Sequence, residues 1–330
     1  MTAVTKVDPA VPAGSPGPLA HRRPLADRGF ALLALGSGLL VLIILVLITV
    51  STAQQSTSWF TTSGLSGIFS TAPITSAKPG MMAYLYGTVI TSVIAIIIGV
   101  PLSVAIALLL TEVVPRRFAQ PIVLVIDLLA VVPSVVWGLW GIIILVPWLE
   151  NTIYTPVASG VAGIPVLDSL FGSGSGAPQG ASFFTAGLVL AVMITPIITS
   201  LSREVIATVP QTDREGAYAL GATRWEMIRG AVWPHSQGGV VGAVLVGLGR
   251  AMGETIAAAL LIGSSAQVTS HLFAPGYSIP AVIANVFPET VGVQRAALIG
   301  MGLILFVITI IVNLLARGIV DRSARRMRGA

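Results

Sequence analysis

The sequence predicts an all-α integral membrane protein with six transmembrane helices. Three observations carry that expectation. Of the 330 residues, 55% are hydrophobic and only 9% charged, with a mean hydropathy of +0.92, whereas soluble domains carry about 25% charged residues. The apolar residues gather in runs of about 20 or more, the length a helix needs to cross the hydrocarbon core. The basic residues flank those runs instead of forming one face. The net charge of +5 therefore points to the lipid bilayer as partner and to no nucleic acid. The chain has no cysteine, which excludes disulfides, thiolate metal sites and a cysteine nucleophile. His21, His235 and His271 stand near span ends or outside spans, so no metal centre is expected.

Each element follows in order. Residues 1–29 are rich in Pro, Ala and Gly and end on Arg22, Arg23 and Arg28, a composition expected of a disordered cytoplasmic tail. Phe30 to Val50 holds 21 residues without a charge, longer than the core of a cleaved signal peptide. Residues 30–51 are thus expected to be an uncleaved anchor helix. Residues 52–83 are Ser/Thr-rich and read as an extracytoplasmic segment. The second span is Tyr84 to Thr111, kinked at Pro101. The third runs from Pro121 to about Pro147, interrupted at Pro133, with Asp127 near its cytoplasmic end. Glu150 to Ser182 reads as a loop with a flexible Phe171–Gly180 stretch. Phe183 to Ser202 is the fourth span and Gly238 to Ser264 the fifth. Ser265 to Gln294 reads as external, Ala296 to about Ala316 as the sixth span, and 318–330 as a basic cytoplasmic tail.

Charge sets the orientation. With the N-terminus inside, the cytoplasmic segments hold Lys6, Arg22, Arg23, Arg28, Arg116, Arg117, Arg203, Arg214, Arg224, Arg229, Arg317, Arg322, Arg325, Arg326 and Arg328, fifteen of the eighteen basic residues. Lysine and arginine accumulate on the cytoplasmic side of membrane proteins. Both termini are therefore expected in the cytoplasm of a multi-pass protein.

Arg250 and Glu254 are the only ionisable residues between Gly238 and Ser264. A charge at the bilayer centre costs about 2.5–3.5 kcal/mol on insertion scales, so it normally faces a partner, a cavity or a pathway. The i, i+4 spacing would bring both side chains to one helix face, within pairing reach. Two readings stand: an ion pair that locks helices together, or a polar element on a route for a charged solute. Thr88, Ser134 and Thr195 offer hydroxyls within spans and join the candidate route, although such hydroxyls mostly bond their own or a neighbouring helix. Gly242, Gly249 and Gly253 are expected to permit close helix approach.

Arg203 to Gln237 is the longest polar insertion. Thr212 with Glu215, and Thr223 with Glu226, both fit capping boxes. Gly221 lies between them where a helix end favours positive φ, and Pro210 and Pro234 bound the unit. Two short helices with a sharp turn follow, and Tyr218, Leu220 and Trp225 present an apolar face. Helices this short are marginal alone, so the hairpin packs either on its own spans or on a partner.

Here the residues resemble a known family. The permeases of ABC-type importers carry a cytoplasmic Glu-Ala-Ala, three residues, Gly, nine residues, Ile-x-Leu-Pro signature. This chain has Glu215-Gly216-Ala217, Gly221 and Pro234 at that spacing, departing at Gly216, Ala231 and Trp233. The segments Gly87–Glu112, Leu128–Gly141 and Gly247–Gly263 look like the phosphate-specific importer permease of the PstC type. The resemblance implies a type I, MetI-like fold over residues 84–317 with cytoplasmic coupling helices at 203–237. It implies a bacterial plasma membrane location and partners of three kinds: a second permease of the PstA type, an ATPase dimer of the PstB type and an extracytoplasmic phosphate-binding protein of the PstS type. It also assigns ATPase coupling to Glu215, Gly216, Ala217, Tyr218, Gly221, Ala222 and Trp225, and favours the route reading of Arg250 and Glu254.

The chain lacks a G-x-x-x-x-G-K-[ST] phosphate loop, since Lys6 and Lys78 are its only lysines and neither has that context. ATP must then be bound and hydrolysed on a partner chain, and no cofactor or catalytic residue is expected here. Permeases for molybdate or sulfate remain alternatives, because an arginine with hydroxyls suits any tetrahedral oxyanion. A secondary transporter would show internal inverted repeats, and none is visible in the sequence.

Overall fold

The structure is a computed structural model that describes residues 25–172 and 179–328. Most of the expected disordered tail (1–24) and much of the expected flexible stretch (173–178) lie outside the described residues. The chain forms two compact units, 1–50 and 51–330.

The first unit is the opening of helix α1 (Leu25–Ser63), which thus begins inside the expected tail. Its apolar residues from Phe30 to Val50 are exposed around the whole circumference. A helix that is apolar all round and covers nothing is suited to lipid.

The second unit holds the last turns of α1 and everything after them. Helix α2 (Met82–Leu108) ends in a π turn, Leu109–Val113. It packs along α5 (Phe183–Ala207) through small-residue contacts: a Cβ on Gly187 would stand 2.6 Å from the Ile94 side chain, and one on Gly99 3.0 Å from Ile194. The core formed around them includes Trp59, Tyr84, Phe183, Ile194, Ile198 and Leu261. Ser103 and Thr199 stitch the two helices inside that core, the Thr199 hydroxyl donating to the Ser103 carbonyl at 3.3 Å and the Ser103 hydroxyl to the Thr195 carbonyl at 3.2 Å.

Two spans and one loop depart from expectation. The interruption expected at Pro133 is a full division of the third span. Helix α3 (Arg116–Val131) stops there, because a residue before proline is pushed out of the helical region, and Val132 is extended at φ −58°, ψ 124°. The membrane-length helix that follows, α4, covers Ser134–Gly160 with two π turns inside it. It takes up the start of what the sequence suggested was the loop from Glu150. The fifth span is likewise divided into the chain around Glu254, described below. Finally, the external segment from Ser265 folds back inward. Its helix α10 (Ile279–Val286) buries Ile279, Pro280, Ala281 and Val282. Among the described residues, five helices are long and apolar enough to cross a membrane: Gly29–Ser63, Met82–Val113, Ser134–Gly160, Phe183–Ala207 and Gly292–Gly318. The last belongs to α11 (Gly292–Arg328), so the basic end continues the helix as far as Arg328.

The inward fold of 262–278 is fixed by backbone. Phe183 N–H donates to the Ala274 carbonyl at 3.1 Å, Phe184 N–H to Leu272 at 3.0 Å, and Ser265 N–H to Gly276 at 2.9 Å. Thr88 anchors the next turn: its hydroxyl donates to the Tyr84 carbonyl and accepts the Ile279 N–H, both at 2.9 Å. Gly87 is required by this approach, since a Cβ there would stand 2.1 Å from the Tyr277 carbonyl oxygen. Gly87→Ala is expected to lower stability by about 1–3 kcal/mol, the usual range for forced overpacking, as a reduced thermal midpoint in detergent. Gly242→Ala, where a Cβ meets nothing within 4 Å, should leave the midpoint unchanged.

Candidate functional site

The hairpin between the fourth and fifth expected spans forms as two arms around a glycine turn. The first arm, α6 (Gln211–Ala219), starts after Pro210 with no side-chain cap. The expected Thr212–Glu215 capping box is therefore absent; the helix starts two residues too early for Thr212 to serve as its cap. Its end is a Schellman motif: Ala222 N–H donates to the Ala217 carbonyl and Gly221 N–H to Tyr218, with Gly221 at φ +83°. The second arm, α7 (Arg224–Met227), carries the expected Thr223–Glu226 box in full. The N–H and hydroxyl of Thr223 hold the Glu226 carboxyl below its ordinary pKa.

Pro234 does not end the unit. A π turn, Ile228–Val232, joins α7 directly to α8 (Trp233–Gly253), with Pro234 in its first turn. Proline lacks the N–H that a regular helix would bond back, and an early helix position tolerates that loss. The hairpin's second arm is thus one continuous helical path into α8. At Gly216 a Cβ would meet nothing within 4 Å, so this departure from the family signature is not imposed by packing.

The hairpin's inner side packs on a small core of Ala107, Ile206, Val209, Met227, Ile228, Val232 and Val240, with Ala217 against it. Its outer side leaves Tyr218 45%, Trp225 66% and Leu220 90% exposed, the apolar face the sequence suggested. Glu215, Gly216 and Gly221 are exposed beside them, and Ala222 is half-buried.

What the sequence missed is Arg214. Its guanidinium grips Glu112 with both arms, Nη2 to Oε1 at 2.8 Å and Nε to Oε2 at 3.3 Å, and the two side chains are only 12% and 5% exposed. Arg214 also donates to the carbonyls of Ile206, at 3.0 Å, and Val209. One side chain thereby closes the end of α2, the end of α5 and the hairpin into a single joint. Charge counting treated Arg214 as one of many cytoplasmic arginines. The available signal was Glu112, an acid at the very end of an apolar span.

The Arg250–Glu254 ion pair does not form. Helix α8 ends at Gly253, and Glu254 is extended at φ −67°, ψ 125°. Its Oε1 accepts the Ala257 N–H at 3.4 Å, capping the next helix, α9 (Ile256–Leu261). The i, i+4 geometry that would pair the two charges requires helix through both positions, and the chain leaves the helix at the second. Arg250 is exposed and has no hydrogen bond or ion pair among the described residues. It shares an exposed strip of α8 with Gly242, Val246 and Gly253. Beside that strip a cavity of about 570 Å³ opens between α8 and α11, lined by Gly238, Gly242, Leu245, Val246, Gly249, Asn313 and Arg317.

The glycine expectation is also corrected. At Gly242, Gly249 and Gly253 a Cβ would meet nothing within 4 Å, whereas Gly239 meets Val205 at 2.4 Å and Gly247 meets Ile198 at 2.6 Å. Close approach of α8 to α5 uses Gly239 and Gly247, and the other three glycines meet no neighbour there.

The hydroxyl candidates divide. Thr88 is buried and fully engaged in packing. The Thr195 hydroxyl donates to the Ala191 carbonyl at 2.7 Å. Ser134, partly exposed, opens α4. That helix packs on α9, where a Cβ on Gly138 would stand 3.2 Å from the Ala257 Cα and one on Gly141 would meet Leu261.

With hairpin, joint and open strip in place, the likeness to known proteins becomes decisive. Residues 99–329 match the family model described as binding-protein-dependent transport system inner membrane component. Phosphate transport system permease protein PstC of Mesorhizobium japonicum is 41% identical over 99% of both chains. This chain belongs to the PstC family of binding-protein-dependent transport permeases. The PstC of Haemophilus influenzae is 45% identical over 72% of this chain and 75% of its own. A bacterial alginate ABC transporter, solved with an alginate pentasaccharide-bound periplasmic protein, superposes with a TM-score of 0.58 at 17% identity. It covers 90% of this chain and 96% of that one, a likeness of fold. As a PstC-family permease the chain is a transport subunit of the inner membrane and not an enzyme.

The joint yields an asymmetric expectation. Arg214→Met strands the Glu112 carboxylate in a buried site and should cost about 3–5 kcal/mol, whereas Arg214→Met with Glu112→Met removes both charges and should recover most of that loss. Thermal midpoints and hydrogen exchange over 211–219 measure it. Equal losses in the single and double variants would show that the pair does not hold the hairpin.

Proposed function

We propose that this chain is one of two membrane-spanning subunits of an ATP-driven phosphate importer, with Arg250 on the translocation route. Its partners in this reading are a second permease of the PstA type, an ATPase dimer of the PstB type and an extracytoplasmic binding protein of the PstS type. The PstC relatives carry phosphate transport in their names, which supports phosphate over molybdate or sulfate. The fold is read as the type I, MetI-like permease, with α8 crossing as a sixth span. Its 21 residues rise about 31 Å at 1.5 Å each, close to the hydrocarbon thickness.

The observation that carries the route assignment is the exposed, unpaired Arg250 on a membrane helix. Lipid does not tolerate such a charge cheaply, so the strip must face water or a partner that encloses water with it. A guanidinium is always charged and presents a planar fork of donors that suits phosphate oxygens. In this reading Glu254, which closes α8 and caps α9, and the partly exposed Ser134 at the start of α4 belong to the same route. Coupling enters at the other end, where Tyr218, Leu220 and Trp225 present the docking face to the ATPase.

Two measurements test this. Because Arg250 has no partner to strand, Arg250→Gln should assemble with its partner subunits and keep its thermal midpoint, while uptake of labelled phosphate falls to background in cells lacking other phosphate importers. Near-normal uptake would remove Arg250 from the route. For orientation, the cysteine-free chain accepts single reporters. Cysteine at Ala77 should react with an impermeant reagent applied outside, and cysteine at Ser323 only after permeabilisation. The reverse pattern would overturn the cytoplasmic placement of the C-terminus.

A further inference from the structure

Next to the Arg214–Glu112 joint, a cavity of about 730 Å³ opens between α3, α5 and α6. Its charged and amide lining is Glu112, Arg116, Gln120, Arg203, Gln211 and Arg214, Thr111 and Tyr218 add hydroxyls, and the remaining wall is apolar. Glu112 is the only acid in that lining, and Arg214 already binds both its oxygens. Arg214 in turn gives its other bonds to two backbone carbonyls. Arg116 and Arg203 therefore remain, on two different helices, with no ion pair or hydrogen bond among the described residues. Two permanent positive charges facing one recess, with the local carboxylate already engaged, attract an anion and do not suit a cation or an apolar ligand. Forked guanidiniums favour a tetrahedral oxyanion that can accept several N–H bonds at once.

We propose that this cavity binds a phosphate group, held by Arg116 and Arg203, and that its occupancy braces the docking hairpin. The cavity is separate from the α8 strip that carries Arg250, and it takes its ligand from the hairpin side. The inference rests on the charge of the cavity alone and holds whatever solute the chain carries. Bracing follows from the geometry: Arg116 opens α3, Arg203 lies on α5, and Gln211 and Arg214 belong to α6, so one anion contacting this lining ties the hairpin to two membrane helices. The phosphate group could be that of free inorganic phosphate or of an anionic lipid headgroup, and the experiment separates these sources.

Full-length chain in neutral detergent at low ionic strength is dialysed against radiolabelled inorganic phosphate. Each guanidinium removed from a charged hydrogen bond should weaken binding about tenfold or more, so Arg116→Gln with Arg203→Gln should weaken it about a hundredfold. Hydrogen exchange over 211–219 should slow on adding phosphate in the native chain only. In nanodiscs the same pair is compared in phosphatidylglycerol and phosphatidylcholine. Retention of phosphatidylglycerol by the native chain and its loss in the double variant, with no difference towards inorganic phosphate, would assign the headgroup as source. Should the double variant fail to fold, Gln120→Glu, an exposed position, adds a repelling charge to the same wall and should weaken binding at least tenfold. If neither probe distinguishes the native chain from the folded variants, the cavity binds no phosphate group and the proposal fails.

Discussion

The hairpin end of this protein depends on one buried ion pair. Arg214 and Glu112 meet where three elements end, and each of those ends would otherwise leave polar groups unsatisfied. The carbonyls of Ile206 and Val209, at the close of α5, accept from the same guanidinium that binds the carboxylate at the end of α2. A buried pair is weak evidence for net stability, because desolvation offsets much of the attraction. Its value here is geometric. An arginine fork fixes direction as well as distance, so a helix of only nine residues, marginal by itself, is held at a defined angle to two membrane helices. Arg224 adds a longer contact from the second arm to the Val113 carbonyl at 3.5 Å.

Glu254 sets the corresponding constraint at the other end of α8. An acid there could have continued the helix and neutralised Arg250. It turns outward from the helical region and caps α9 instead, which leaves Arg250 without an internal partner. The two charges thus perform separate tasks, one ending a helix and one remaining available. The glycines of α8 divide their tasks as well. Gly239 and Gly247 allow close packing on α5, while Gly242, Gly249 and Gly253 meet no neighbouring atom where a Cβ would stand.

Much of this was legible in the residues, and the limits have physical causes. Long apolar runs without charge identified α1, α2 and α5 because the bilayer requires them. Gly221 and the Thr223–Glu226 box were readable because they are local: each is decided within a few residues by backbone conformation and a side-chain cap. Thr212–Glu215 had the same spacing and failed, since Pro210 began the helix earlier. The interruption at Pro133 was legible, but not that it separates two helices, because nothing in sequence says whether neighbouring helices will re-satisfy the freed backbone. Arg214–Glu112 was invisible for another reason. The partners are 102 residues apart, and pairing across that distance is a tertiary fact. Arg250–Glu254 failed in the opposite direction, since spacing implies contact only where the helix persists. The N-terminal stretch through residue 24 lies outside what the structure describes.

The joint and the open strip are connected by an unbroken physical path, and this bears on how such a permease could couple. The docking face ends in Trp225, on the arm that continues through the π turn and α8 up to Arg250 without leaving helical geometry. A helix transmits displacement along its axis with little loss, so a push on α7 should reach the membrane strip as a shift or rotation of α8. The other arm takes the opposite role. Through Arg214 it is fastened to α2 and α5, whose shared core holds Ile194, Ile198 and the Ser103–Thr199 bonds. One arm is thus tied to that core and the other runs on into α8, with Gly221 at positive φ between them. Any displacement of α8 must also act on its close contacts with α5 at Gly239 and Gly247.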